Sequence, residues 1–151
     1  MSATTVALVS SGACVFCGVV AGAVDAAIVF RDEIAVGFLD HRPLFPGHVL
    51  IVPIGHVDTI VDLPRELVHP FWRRVQAVAA ALPPALGAQG TFVANNNVVS
   101  QSVPHPHVHV VPRTKGDGLR GFFWPRTRYA DGEADRVAAA IAAELARIDV
   151  D

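Results

Sequence analysis

Residues 105–111 read His105-Pro106-His107-Val108-His109-Val110-Val111, three histidines at every second position with apolar residues between them. Period two is the side-chain period of an extended strand, in which alternate residues share a face and lie about 7 Å apart. The stretch is therefore expected to be a strand with two unlike faces. Val108 and Val110, with Pro106, turn to the core, and His105, His107 and His109 turn to a site. Burying three unpaired imidazoles would be costly, and a solvated strand face normally draws on Thr, Lys, Glu and Arg. Imidazole is also the side chain best suited to proton transfer, metal ligation or nucleophilic attack near neutral pH.

The other segments predict a scaffold for that strand. Gly18–Gly22 reads as a short helical turn ending at Gly22. Ala27–Phe30 and Ile34–Leu39 read as a hairpin about Arg31-Asp32-Glu33. Phe45-Pro46-Gly47 is a turn, His48–Pro53 a third strand and Thr91–Ala94 a fourth, followed by the loop Asn95-Asn96-Asn97. A helix is expected from the cap Asp62, with Pro64 in its first turn and Glu66 near the positive end of its dipole. Leu67, Phe71, Val75, Val78 and Leu82 form its apolar stripe, and Pro83-Pro84 is expected to stop it. A last helix, about Gly132 to Ile148, is expected to bury Val137, Ile141, Leu145 and Ile148. The segment before it carries Lys115, Arg120, Arg126 and Arg128 with Phe122, Phe123, Trp124 and Tyr129, a loop expected to fold over something. The whole reads as one α+β domain over 1–151, antiparallel strands with two longer helices. Residues 1–13 are a loose leader and 114–151 a C-terminal loop and helix.

Composition narrows the function. A chain of 151 residues can bury one proper core, and a net charge of −2 gives no electrostatic case for nucleic acid or a membrane surface. Gly, Pro, Asp or Arg interrupts every apolar run well before the roughly 18 residues of a membrane span. The N-terminal stretch has no basic region ahead of its apolar residues, so a secretory signal is not expected. Cys14 and Cys17 are the only cysteines, too few for a disulfide-stapled secreted domain, and a cytoplasmic setting is expected. Their C-x-x-C spacing admits a redox pair, half a zinc site or chance. A tetrahedral zinc site would need two more ligands, and His56 and His105 are available.

The histidine stretch matches the signature of the histidine-triad (HIT) superfamily, His-φ-His-φ-His-φ-φ with φ apolar. Further segments are similar to it in the same order: Cys14-x-x-Cys17, Phe38-Leu39-Asp40, Pro46-Gly47-His48, Val52-Pro53-x-x-His56 and Gln101-Ser102-Val103-Pro104. The resemblance runs from Cys14 to Arg113 and is nearest to the Hint-type and bacterial HIT hydrolases. Pro106 departs from the usual apolar residue and removes one ladder hydrogen bond. A proline there resembles the related sugar-nucleotide transferases, but His109 stands where those have glutamine and argues for a hydrolase.

The resemblance implies a HIT-like fold, an antiparallel sheet of about five strands with two longer helices. It implies nucleotidyl transfer to water at the α-phosphorus of nucleoside phosphoramidates, adenylylated amines or dinucleotides. His107 is then the nucleophile, His109 and Ser102 meet the phosphoryl charge, and Gln101 lies near the leaving group. Asp40 binds the ribose hydroxyls, and Asn95 or Asn96 lies near the phosphates. Phe16, Phe38 and Leu50 line the base pocket, with plain core as the other reading of Phe38 and Leu50. Structural zinc is implied on Cys14, Cys17, His56 and His105. The partners implied are a purine nucleotide or nucleotide conjugate and a second copy of the chain. His41, His48 and His69 are read as structural or exposed, His48 through a hydrogen bond. Two other readings remain: a noncatalytic zinc- or nucleotide-binding module, and an aprataxin-like DNA-repair hydrolase, whose additional zinc finger has no counterpart here.

Overall fold

The computed structural model describes residues 14–119 and 126–150. The leader 1–13 and Arg120, Phe122, Phe123 and Trp124 lie outside the described residues. The chain divides into two compact units, one ending at Asp117 and one beginning at Gly118.

The first unit runs α1 (Val15–Val20), β1 (Ile28–Arg31), β2 (Ala35–Leu39), β3 (Val49–Pro53), α2 (Arg65–Leu86), β4 (Gly90–Asn95) and β5 (Val108–Arg113). The strands form one antiparallel sheet in the order β1-β2-β3-β5-β4. The fold is α+β, as expected. Alternation in the strands decides which side chains face which layer. Ala35, Val49, Ile51, Val108 and Val110 pack against Phe71, Val75, Val78 and Leu82 of α2. On the opposite face Val36, Phe38, Leu50 and Val52 lie under Phe16 and Val19 of α1. Burying a side chain of this size contributes roughly 1.5–3 kcal/mol, so the two layers hold the sheet from both sides.

Four local expectations are corrected. α1 begins directly after Cys14, not at Gly18, because the Cys14 sulfur caps it and accepts from the Cys17 amide at 3.4 Å. Asp62 does not cap α2. It closes a short 3-10 turn by accepting from the amide and hydroxyl of Thr59, and Pro64 stands at the helix start. Pro83-Pro84 does not end α2, which continues to Leu86 and stops at the left-handed Gly87 (φ 69°). Proline's fixed φ suits a helix; the pair removes two donors from the last turn while buried Leu82 keeps that turn on the core. Finally, β5 begins only at Val108, so His105 and His107 precede the strand. Pro104 and Pro106 have no amide to give a ladder, and the first pairs are Ile51 with Val108 and Asn95 with Val108.

In the second unit α3 spans Glu133–Leu145. Val137, Ile141, Leu145 and Ile148, expected to be buried, are each at least 39% exposed. The spacing of Val137, Ile141 and Leu145 fixes a shared helix face but not a surface to cover it, and Ile148, expected inside the helix, lies beyond its end at Leu145. Among the described residues no helix is long and apolar enough to cross a membrane.

Candidate functional site

The end of the sheet at Pro53 and the start of α1 bring four ligand-type side chains together. The Nδ1 of His105 lies 3.6 Å from the sulfur of Cys14 and 3.6 Å from that of Cys17. The Nδ1 of His56 lies 3.2 Å from the Cys17 sulfur. All four atoms fall within 4.8 Å of one another. Tetrahedral zinc with bonds of about 2.0–2.3 Å places its ligand atoms roughly 3.3–3.8 Å apart, so the set fits that ion. The surroundings fit as well. The His105 Nε2 donates to the Pro53 carbonyl at 2.9 Å, which leaves Nδ1 as the lone-pair nitrogen facing the sulfurs. The far nitrogen of His56 lies 3.5 Å from an Asp58 carboxylate oxygen, a common outer partner of a ligating histidine. Burial lowers the His105 pKa, which keeps the ring neutral as a ligand must be.

His107 stands on this cluster. Its Nδ1 donates to the His105 carbonyl at 2.8 Å, so the proton is on Nδ1 and Nε2 carries the lone pair. The ring is buried, meets the Phe16 edge at a centroid distance of 5.0 Å, and lines a cavity. Its own carbonyl accepts from the Asn95 side-chain amide at 2.9 Å. Asn97 in turn donates to the Asn95 carbonyl oxygen at 2.7 Å and accepts from the Ile60 amide at 2.9 Å.

His109 is set by a second histidine. The Leu44 amide donates to His48 Nδ1 at 3.1 Å, so neutral His48 carries its proton on Nε2. That nitrogen lies 2.9 Å from His109 Nδ1, which must accept. Neutral His109 therefore presents Nε2–H as a donor. Burial pushes His109 down to about 4, with the His107 and His48 rings adding to the effect and Asp40 opposing it. Burial lowers His48 too, against the pull of Asp40. Asp40, His48 and His109 also lie close enough to hold a metal. In this structure, however, His48 Nε2 and His109 Nδ1 are occupied by the hydrogen bond from His48 to His109.

The cavity, about 740 Å³, is lined by Phe16, Phe38, Leu50, Asp40, Ser102, His107 and His109 among others. Phe16, Phe38 and Leu50 are core and lining at once, since each is buried in the α1 layer and borders the space. Asn95 does not line it and stands behind His107. Asn96 is exposed and donates to the Ser100 carbonyl at 3.3 Å. Gln101 does not line the cavity; its amide accepts from Val98 N–H at 2.8 Å and donates to the Asp58 carbonyl at 2.6 Å. It braces a loop in which Val98 and Ser100 take the left-handed backbone (φ 67° and 61°).

Sequence reasoning gave His48 a structural hydrogen bond without its partner, and it passed over Asn97 and Asp58. The partner of His48 is visible only once β3 is registered against β5, with Leu50 opposite His109.

The HIT domain family model matches residues 21–116. The Bacillus subtilis relative named Protein hit is 33% identical over 138 residues, covering 88% of this chain and 94% of its own. An adenylylsulfatase of Arabidopsis thaliana is 31% identical over 108 residues, covering 70% of this chain but 55% of its own length. The crystal structure of a zinc-bound histidine triad family protein from Mycobacterium smegmatis superposes with a TM-score of 0.69 at 35% identity, covering 93% of this chain and 100% of its own.

Proposed function

The chain belongs to the HIT family, and from that premise we propose that it is a nucleotide hydrolase working through a nucleotidyl-His107 intermediate. One observation carries the reading: the two rings facing the cavity are held in complementary tautomers. His107 offers a lone pair on Nε2 and His109 offers a hydrogen on Nε2.

In the reaction proposed, His107 Nε2 attacks the α-phosphorus of a nucleoside phosphoramidate, adenylylated amine or dinucleotide. The nitrogen–phosphorus bond forms as the bond to the leaving group breaks. Water then displaces the histidine and frees the nucleoside monophosphate. His109 Nε2–H and Ser102 meet the charge on the phosphoryl oxygens, where preorganised donors act most strongly. Asp40 receives the ribose hydroxyls, and Phe16, Phe38 and Leu50 receive the base. The adenylylsulfatase relative supports chemistry at an adenylyl phosphorus. Gln101 is engaged with Val98 and Asp58 and acts by holding the 95–102 loop.

Zinc on Cys14, Cys17, His56 and His105 would supply a structural cross-link. The zinc-bound relative supports it. The chain's own part is to fix His105, whose carbonyl holds His107. Pairing of two copies is proposed through edge strand β4 and α2, supported by exposed Val93, Val68 and Trp72 on those elements.

Adenosine 5′-phosphoramidate, rapid quenching and peptide mass spectrometry test the reaction. A nucleotidyl adduct on His107, absent with turnover in His107→Ala, is expected. Unchanged hydrolysis by His107→Ala would sink the reading.

A further inference from the structure

Two polar residues on the cavity wall are left without a task, Asp25 and His41. Asp25 is the more constrained. It is exposed, and among the described residues no hydrogen bond or ion pair engages its carboxylate. Yet both of its neighbours are fixed. The Val24 amide donates to the Gly18 carbonyl at 3.1 Å, and the Ala23 amide donates to the same oxygen at 2.8 Å. Val24 also sits directly on α1: a Cβ at Gly18 would come within 2.6 Å of a Val24 methyl. On the other side Ala26 packs against the Phe16, Phe38 and Leu50 layer. Ala27 accepts from the Leu39 amide at 2.9 Å, which extends the β1–β2 pairing one residue ahead of Ile28. Val24, Asp25, Ala26 and Ala27 all border the cavity, as do Val15, Phe16 and Val19 of α1. Asp25 therefore lines the same cavity as Phe16, Phe38 and Leu50, which the reading above assigns to the base.

We infer that Asp25 selects the base, favouring guanine over adenine, an inference that rests on the nucleotide reading of this cavity. An ionised carboxylate only accepts hydrogen bonds. Guanine presents two adjacent donors, N1–H and the N2 amino group, which match two carboxylate oxygens. The corresponding edge of adenine has one donor beside an acceptor, and that lone pair would face the carboxylate oxygen. An asparagine there pairs one acceptor and one donor, the pattern that suits adenine. Sites that match donors to acceptors discriminate far better than apolar contact alone.

Titration of the full-length protein with GMP and with AMP tests this without any need for turnover. Wild type is expected to bind GMP about tenfold more tightly, Asp25→Ala to lose the preference, and Asp25→Asn to lean toward AMP. Gly18→Ala, which displaces Val24, is expected to blunt the preference as well. Equal affinity for GMP and AMP in wild type, or a ratio unchanged in Asp25→Ala and Asp25→Asn, overturns the inference. Hydrolysis of the two phosphoramidates by the same preparations is the separating measurement. Discrimination in binding with no hydrolysis sinks the proposed reaction and leaves the role of Asp25 standing. Hydrolysis with an unaltered base ratio does the reverse. Binding of neither monophosphate overturns both.

Discussion

The main-chain carbonyl of His105 accepts the Nδ1 proton of His107 at 2.8 Å, while the His105 ring points its own Nδ1 at the sulfurs of Cys14 and Cys17. One residue thus serves two sites, through its side chain and through its backbone. Whatever fixes the ring also fixes the tautomer of its neighbour.

Removing either sulfur should therefore be felt at both places. Cys14→Ser and Cys17→Ser are expected to lower bound zinc from about one ion per chain to near none, because a three-ligand remnant is a weak structural site. A loss of about 3 kcal/mol would lower Tm by roughly 6–12 °C in a chain of this size. Metal analysis of purified protein and a thermal melt check both. Zinc content equal to wild type in the two variants would remove the metal centre from the account.

His48 is a positioning residue, acting only through His109. His48→Phe keeps a ring in place but cannot donate to His109 Nδ1. His109 is then free to take the other tautomer, with its lone pair toward the cavity. Turnover is expected to fall on the order of tenfold to a hundredfold, with KM little changed. His48→Gln, which restores a donor, should recover part of the loss. Equal effects of Phe and Gln would indicate packing alone.

Acid should weaken the fold in a defined window. His109 titrates near 4 in the folded chain against an ordinary 6.5, and His48 is also lowered. Between those values the unfolded chain binds protons that the folded chain does not. The stabilising contribution is therefore complete above about pH 6.5 and is lost as the pH falls toward 4, with His109 supplying at most about 3 kcal/mol. Urea unfolding at pH 7 and pH 4.5 measures it. The comparison belongs in the Cys14→Ser/Cys17→Ser background, where acid release of metal does not contribute. His109→Gln should flatten the slope; a slope unchanged by that substitution would assign the acid sensitivity elsewhere.

Asn95 holds the other side of the nucleophile. Asn95→Ala leaves the His107 carbonyl without its side-chain donor. The expected cost is about 1–3 kcal/mol of stability, together with reduced turnover. Asn96→Ala, on the exposed side of the same loop, should do neither. Denaturant midpoints and turnover of the two variants, compared side by side, decide between the neighbours.

Much of this arrangement was legible in the residues. The alternation in Val49–Pro53 and Val108–Val111 and the stripe Phe71, Val75, Val78 and Leu82 report which side chains share a face, and periodicity records that directly. The His-x-His-x-His pattern does not, because His105 and His107 precede β5 and His105 turns to the cysteines. That Cys14, Cys17, His56 and His105 could come together was legible too, since zinc chemistry restricts the residue types, and the structure brings the four within 4.8 Å of one another. The end of α2 was misread at Pro83-Pro84 because packing of Leu82 outweighs two missing donors. The burial of Val137, Ile141 and Leu145 was misread because a stripe does not name its cover.

By itself, then, the sequence determined the residue types of the site, the faces of the strands and the family. Only the tertiary structure decided which nitrogen of His48, His105, His107 and His109 carries the proton. It made those assignments through Pro53, His105, Leu44 and His48, groups up to 61 positions away in the chain from the rings they set. A tautomer is fixed by the hydrogen bond on the opposite side of the ring, and that partner is a matter of sheet register and loop path, which local sequence does not encode.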